Sequence, residues 1–179
     1  GKAAGRMAAA VAARFPGVPL LVVTHAGAPV PEAAEVVRGD HPVPGAGSLA
    51  AGRAIWAEAG GMAPGERLLV LVSGGASALV ELPAEGLTLE DVAAVTGALL
   101  SSGAEIGEIN LVRQQLSRLK GGGLLRRAVP ARASALILSD VVGDDLSTIG
   151  SGLTAPPLGD RAAARAALCA RALWDGLPG

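Results

Sequence analysis

Short apolar runs alternate with longer helix-favouring stretches from one end of the chain to the other. The runs PLLVVT at 19–24, RLLVLVS at 67–73 and ASALILS at 133–139 are apolar at most positions, the pattern of strands buried on both faces. EVVRG at 35–39 is a shorter candidate strand. Residues 3–14 are strong helix formers, closed by Phe15-Pro16-Gly17. Further helices are expected over 47–59, with Ser48 as N-cap and Gly60-Gly61 as the stop, and over 88–102, opened by a Thr88/Asp91 capping box. Two more are expected over 106–119, interrupted by the glycines at 121–123, and over 161–174. Strands alternating with helices predict an α/β protein, a three-layer Rossmann-like domain with a mostly parallel sheet and helices on both faces. Ligands of such folds gather beyond the C-terminal ends of the strands, which singles out the loops after Thr24, Ser73 and Ser139.

Composition narrows the classes of function. The 179 residues suit one well-packed domain. Phe15, Trp56 and Trp174 are the only aromatic residues, so the core is small and aliphatic, and the stacking platforms of a single-stranded nucleic-acid binder are missing. With 15 basic and 16 acidic residues, no Lys/Arg block stands out that would hold nucleic acid or an anionic membrane. No apolar run reaches the ~20 residues of a membrane span, and the first residues carry no signal-peptide pattern. Cys169 is the single cysteine, which excludes an internal disulfide and cysteine-cluster metal sites; it is expected to be buried on the last helix. A cytoplasmic, reducing compartment is the expectation. The opening GKAAGRM reads as a chain that a strand has already delivered to a turn, so the sequence reads as a domain cut from something longer.

Four groups of residues could carry chemistry. Ser73-Gly74-Gly75-Ala76-Ser77 follows a predicted strand; bare glycine amides and two hydroxyls suit an anion, although a tight turn alone would also require the glycines. It is neither a Walker A loop nor GxGxxG. Asp140, Asp144 and Asp145 cluster after the last strand, where Mg²⁺ would relieve their repulsion. Alternatively, one Asp accepts a proton from an attacking hydroxyl, or the acids simply cap turns. Asn110, Arg113 and Ser117 share one face of a predicted helix and Lys120 continues it, a stripe suited to a small carboxylate or phosphate, or an ordinary solvated face. Lys2 at a strand-to-helix turn could act as a point charge on a phosphoryl group, or be merely solvated. His25 and His41 lack metal-ligand spacing, and His41-Pro42-Val43-Pro44 reads as a rigid loop.

Together these segments resemble one family. GKAA with Met7, DHPVP at 40–44, SGGASAL at 73–79, LPAEGLTLED at 82–91, SGAEIGEIN at 102–110 with Arg113, Ser117 and Lys120-Gly121-Gly122, and SDVVGDD at 139–145 with Ile149-Gly150-Ser151-Gly152 are similar to the N-terminal domain of the glycerate 2-kinases that carry a C-terminal MOFRL domain. The resemblance implies a single nucleotide-binding-type domain over 1–179, incomplete at its start, with the MOFRL domain outside this chain. It implies transfer of the ATP γ-phosphate, with Mg²⁺, to the 2-hydroxyl of D-glycerate, in a cleft between the two domains. Ser73, Gly74, Gly75, Ser77 and Lys120 would then hold phosphates, and Lys2, Asp140 and Arg113 would be catalytic. Arg113, Asn110 and Ser117 would bind substrate, and Asp140 and Asp144 the metal. Partners would be D-glycerate and ATP, with no nucleic acid or membrane, and a homodimer stays open. The sequence departs from the family pattern at Ala76, where a third glycine is usual, at Gln114-Gln115, where a Lys-His pair is usual, and at Leu153, where proline is usual. Two other readings stay in view: a hydroxypyruvate reductase, which would need the GxGxxG turn that is missing, and a non-catalytic remnant that binds nucleotide.

Overall fold

The computed structural model describes residues 1–176. Its elements, in chain order, are α1 (Ala4–Arg14), β1 (Leu21–Thr24), β2 (Glu35–Arg38), α2 (Ala46–Gly61), β3 (Arg67–Ser73), α3 (Ala76–Leu79), α4 (Leu89–Ser101), α5 (Ile106–Gln115), α6 (Gly123–Ala128), β4 (Arg132–Leu138) and α7 (Arg161–Ala170), with a short 3-10 turn at Ile149–Ser151. The predicted strands and long helices all form. Both strand pairings are parallel: β1 with β2, Leu21 opposite Glu35, and β3 with β4, Arg67 opposite Arg132. None of the described helices is long and apolar enough to cross a membrane.

Alternate side chains of the strands feed two layers. Val22 packs with Ala4 and Ala8 of α1 on one side. Val23 and Val72 turn the other way, into the main core with Ala51 and Ala59 of α2, Leu79 of α3, and Leu124 and Ala128 of α6. A satellite core joins Val95 and Leu99 of α4, Ile109 and Val112 of α5, and Ala164 and Leu168 of α7. The α/β architecture with parallel strands therefore stands. It departs from the expectation in two respects. The four strands form two separate pairs rather than one sheet. A cavity of about 570 Å³ separates β1 from β3. The β3–β4 pair is also covered on one face only, leaving Leu69, Leu136 and Leu138 exposed at 40%, 56% and 55%.

Local chemistry corrects several boundaries. Thr88 and Asp91 make the expected capping box on α4: the Thr88 hydroxyl accepts from the Asp91 amide at 3.1 Å, and the Asp91 carboxylate accepts from the Thr88 amide at 2.8 Å. Ser48 is not the N-cap of α2, which is Gly45. The carboxylate of Asp40 instead accepts from the Gly47 and Ser48 amides at 2.8 and 3.2 Å, capping α2 from the preceding loop. The α5 helix stops at Gln115, before Ser117 pairs in an antiparallel bridge with Pro83. Cys169 is exposed, not buried, because α7 turns Ala164 and Leu168 inward instead.

Candidate active site

The β3 strand delivers the chain into Gly74-Gly75, at the C-terminal edge of its pair. Gly75 has φ 79, a left-handed conformation that favours glycine, and caps α3. Ala76 is already helical, so the alanine that replaces the usual third glycine carries no backbone strain. A side chain on Gly74 would collide with the Asp140 carboxylate, so Asp140 lies directly against this residue. On the other glycine, a Cβ would sit 3.0 Å from Lys2 Cε and 3.2 Å from His41 Cδ2. The Lys2 amide donates to the Gly74 carbonyl at 2.9 Å, and the Ala3 amide to the Ser73 hydroxyl at 3.1 Å. Lys2, His41 and Asp140 thus enclose the glycine turn, and all three side chains face solvent. Slight burial and then the nearby charges of Lys2 and His25 hold the His41 pKa below its ordinary value.

A second ring lies on the far side of α3. The Ser77 and Ser151 hydroxyls share a 2.6 Å hydrogen bond, and Ser151 donates onward to Asn110 Oδ1 at 2.9 Å. Arg113 Nη2 donates to the Ser77 carbonyl at 3.0 Å. Asn110 Nδ2 and Arg113 Nε are buried donors with no partner among the described residues. Such groups are rare in native structures and mark places where an acceptor is wanted. Burial lowers the pKa of Arg113, and Glu81 opposes that shift. Gln114 anchors the neighbouring loop, donating to the Ser147 and Ser151 carbonyls at 3.1 and 3.3 Å and accepting from the Leu158 amide at 2.8 Å.

Three expected site residues lie elsewhere. Lys120 does not extend the Asn110–Arg113 stripe, because α5 has ended; it is fully buried and ion-paired with the equally buried Glu81. Burial pushes its ammonium down to about 8, with Glu81 pulling it up and Arg113 adding to the fall. In this arrangement Lys120 has no open face for a phosphate. Ser117 is buried and donates to the Leu82 carbonyl at 3.3 Å. Asp144 is exposed on the loop beyond β4 with φ 54. Its neighbour Asp145 is engaged by Ser147 and Thr148 in a local turn, whose hydrogen bonds lower its pKa. No group of three or more His, Cys, Asp or Glu side chains that could hold a metal forms among the described residues. A divalent ion fits here only as one carried by phosphate, with Asp140 as the carboxylate at hand. In the sequence His41 reads only as part of a rigid loop, and nothing there gives Ser151 or Glu81 a role in the site. The signal for His41 was its place just beyond the C-terminal end of β2, the same edge that holds the glycine turn.

The model of the DUF4147 family, described as a domain of unknown function, matches residues 1–179. The chain belongs to the DUF4147 family. A relative from Thermotoga maritima, named D-glycerate 2-kinase, is 41% identical over 157 residues, covering 85% of this chain and 37% of that protein. Another, from Agrobacterium vitis, named "Putative hydroxypyruvate reductase", is 48% identical over 157 residues, covering 86% of this chain and 36% of that protein. The crystal structure of a glycerate kinase from Thermotoga maritima superposes with a TM-score of 0.92 at 38% identity, covering 96% of this chain and 42% of that one. These matches bear out the resemblance to the N-terminal domain of the glycerate kinases. The chain spans about two fifths of the length of these relatives.

Proposed function

We propose that this DUF4147 domain supplies the phosphate-gathering half of a D-glycerate 2-kinase. The observation that carries the reading is the meeting of Lys2, His41 and Asp140, from three separate loops, around the bare Gly74-Gly75 turn. Phosphoryl transfer needs positioning and charge neutralisation more than covalent help from the protein. In the proposed reaction the 2-hydroxyl oxygen of glycerate attacks the γ-phosphorus of ATP, the bond to the β-phosphate oxygen breaks, and ADP leaves. The open turn receives phosphate oxygens on its amides, with the Ser73 and Ser77 segments holding it in shape. Lys2 neutralises the charge that develops on the transferred group. Asp140 takes the hydroxyl proton or, with Mg²⁺ bound, holds the ion that offsets phosphate charge. Arg113, with Asn110 beside it, is the candidate for the glycerate carboxylate, a role that requires their buried spare donors to open toward the cleft. Ser117 and Lys120 support this surface from beneath. A cytoplasmic setting accords with one free, exposed cysteine.

The support from relatives is a glycerate kinase name and a shared fold. The reductase name of the Agrobacterium relative has no counterpart in the turn, since Ser73-Gly74-Gly75-Ala76-Ser77 lacks the glycine spacing of a dinucleotide site. The test is ADP formation dependent on D-glycerate, measured on the 179-residue chain and on the longest polypeptide its gene encodes. Lys2→Ala and Asp140→Asn should each lower kcat by about 10²- to 10³-fold, the usual loss when one transition-state charge contact is removed. Undiminished rates in both variants, or NADH oxidation with hydroxypyruvate in place of ADP release, would overturn the reading.

A further inference from the structure

Among the described residues, three other than glycine have positive φ, and of these Ser151 alone is buried; Asp144 and Ala172 are exposed. The Ser151 φ of 54 lies between those of Gly150 at 61 and Gly152 at 70, a run of three left-handed residues beyond β4. A side chain is uncommon in that conformation, and a strained backbone persists only where its surroundings over-determine it. Every polar atom of Ser151 is held. Its amide donates to the Thr148 carbonyl at 3.0 Å. Its carbonyl accepts from Gln114 Nε2 at 3.3 Å and from the Gly121 amide at 3.2 Å. Its hydroxyl bonds Ser77 on one side and Asn110 on the other. A third glycine would take this backbone without strain, so the hydroxyl is what the position gains from serine.

We propose that Ser151 is a positioning residue, whose hydroxyl locks the Asn110 amide so that Oδ1 is occupied and Nδ2 stays a free donor beside Arg113. The proton count fixes the direction of the chain. Ser151 has one hydroxyl proton and gives it to Asn110 Oδ1 at 2.9 Å, so the 2.6 Å bond to Ser77 is donated by Ser77. Asn110, 2% exposed, then has its acceptor filled and a donor with no partner. Without the Ser151 hydroxyl nothing distinguishes the two ends of the amide, which is then free to present either its oxygen or its nitrogen. An oxygen at that point would repel a carboxylate. Ser77 registers the second donor as well: its carbonyl accepts from Arg113 Nη2 at 3.0 Å, while Arg113 Nε has no partner. One serine of α3 thus ties both spare donors to the segment that leaves the glycine turn. The inference rests on the kinase reading only in naming the glycerate carboxylate as the group these donors meet once they open toward the cleft.

The experiment compares Ser151→Gly with Ser151→Ala, in this chain and in the polypeptide used for the turnover assay. Both variants remove the hydroxyl, but only glycine also relieves the left-handed backbone, so Ser151→Gly should have the higher Tm of the two. The first readout needs neither ligand nor turnover. In NMR relaxation the Asn110 side-chain amide should be as rigid as the α5 backbone in the parent chain and mobile in both variants. The second readout is the KM for D-glycerate. It should rise about tenfold in both variants, the scale of one hydrogen bond to a charged group, while the KM for ATP stays unchanged. A rigid Asn110 amide in either variant overturns the proposal. So does a glycerate KM that is unchanged, or that rises only in the less stable alanine variant, which would mark a merely structural role. Failure of the kinase reading looks different: a parent chain that releases no ADP with glycerate, while the amide still loosens in both variants, removes the carboxylate as the ligand and supports the Ser151 lock.

Discussion

A lysine with no solvent contact is the least expected feature of the fold around the site. Lys120 reads in sequence as the end of a basic, ligand-facing stripe, yet it lies 0% exposed against Glu81, itself 0% exposed. Breaking a buried ion pair from one side leaves an uncompensated charge and costs about 3–5 kcal/mol, whereas replacing both partners with apolar groups is often nearly neutral. Lys120→Met should therefore destabilise the fold by about that amount in urea denaturation. Adding Glu81→Leu to the same chain should recover most of the loss. If Lys120→Met alone were neutral, the pair would not hold the loop beneath Arg113. The partnership was invisible in sequence because Glu81 lies far from Lys120 along the chain and nothing in the LVELP segment marks it as a counter-ion. The glycine turn was legible, because two glycines directly after an apolar strand have few other uses. The sequence names Lys2 and Asp140 as separate candidates; that both lie against the glycine turn, together with His41, is visible only in the fold. His41 comes from a loop whose prolines suggested only rigidity.

At the level of elements, the alternation of apolar runs and helix formers located every main strand and helix, because each run is short, strongly apolar and bounded by Gly or Pro. Helix ends were harder to read. The α5 helix was expected to reach Leu119 but ends at Gln115, because tertiary pairing of Ser117 with Pro83 outweighs local propensity. The α7 helix ends at Ala170 rather than Trp174, with Ala172 at φ 55. Helix starts with reciprocal caps were read correctly where both partners lie within one turn, as Thr88 and Asp91 do. Where the cap comes from a distant loop, as Asp40 does for α2, the start is legible to within a residue but the capping residue is not. The α4 box yields a quantitative expectation. Thr88→Ala should cost about 1 kcal/mol, and Thr88→Ser, which keeps the hydroxyl acceptor, only a few tenths. Chemical denaturation of both variants checks it, and equal losses would assign the effect to the threonine methyl rather than to the cap. The test matters beyond α4, since Val95 and Leu99 of this helix pack on α5, which carries Asn110 and Arg113.

Across the whole molecule, the two strand pairs meet through one point of backbone, the Gly1–Lys2 dipeptide. In the 179-residue chain that point carries a buried amine whose pKa is lowered from 8.0 to about 6 by burial. The sign of the consequence follows from proton counting. Between pH 6 and 8 the unfolded chain holds a proton on this amine and the folded chain does not, so the unfolded state binds more protons and stability rises with pH. Below pH 6 the folded state must bury the charge and the full penalty applies; above pH 8 both states are neutral and it is gone. The rise across the window should be on the order of 1–3 kcal/mol. His41, with its own lowered pKa, tilts the curve in the same direction, so the measurement belongs in a His41→Gln background as well as in the parent chain. Urea midpoints across pH 5–9 should climb through the window in both backgrounds. They should lose most of that climb once the Gly1 nitrogen is acetylated and can no longer titrate. A flat profile in the His41→Gln chain would mean that the Gly1 nitrogen is hydrated, and that the end of the gap between β1 and β3 is open to water.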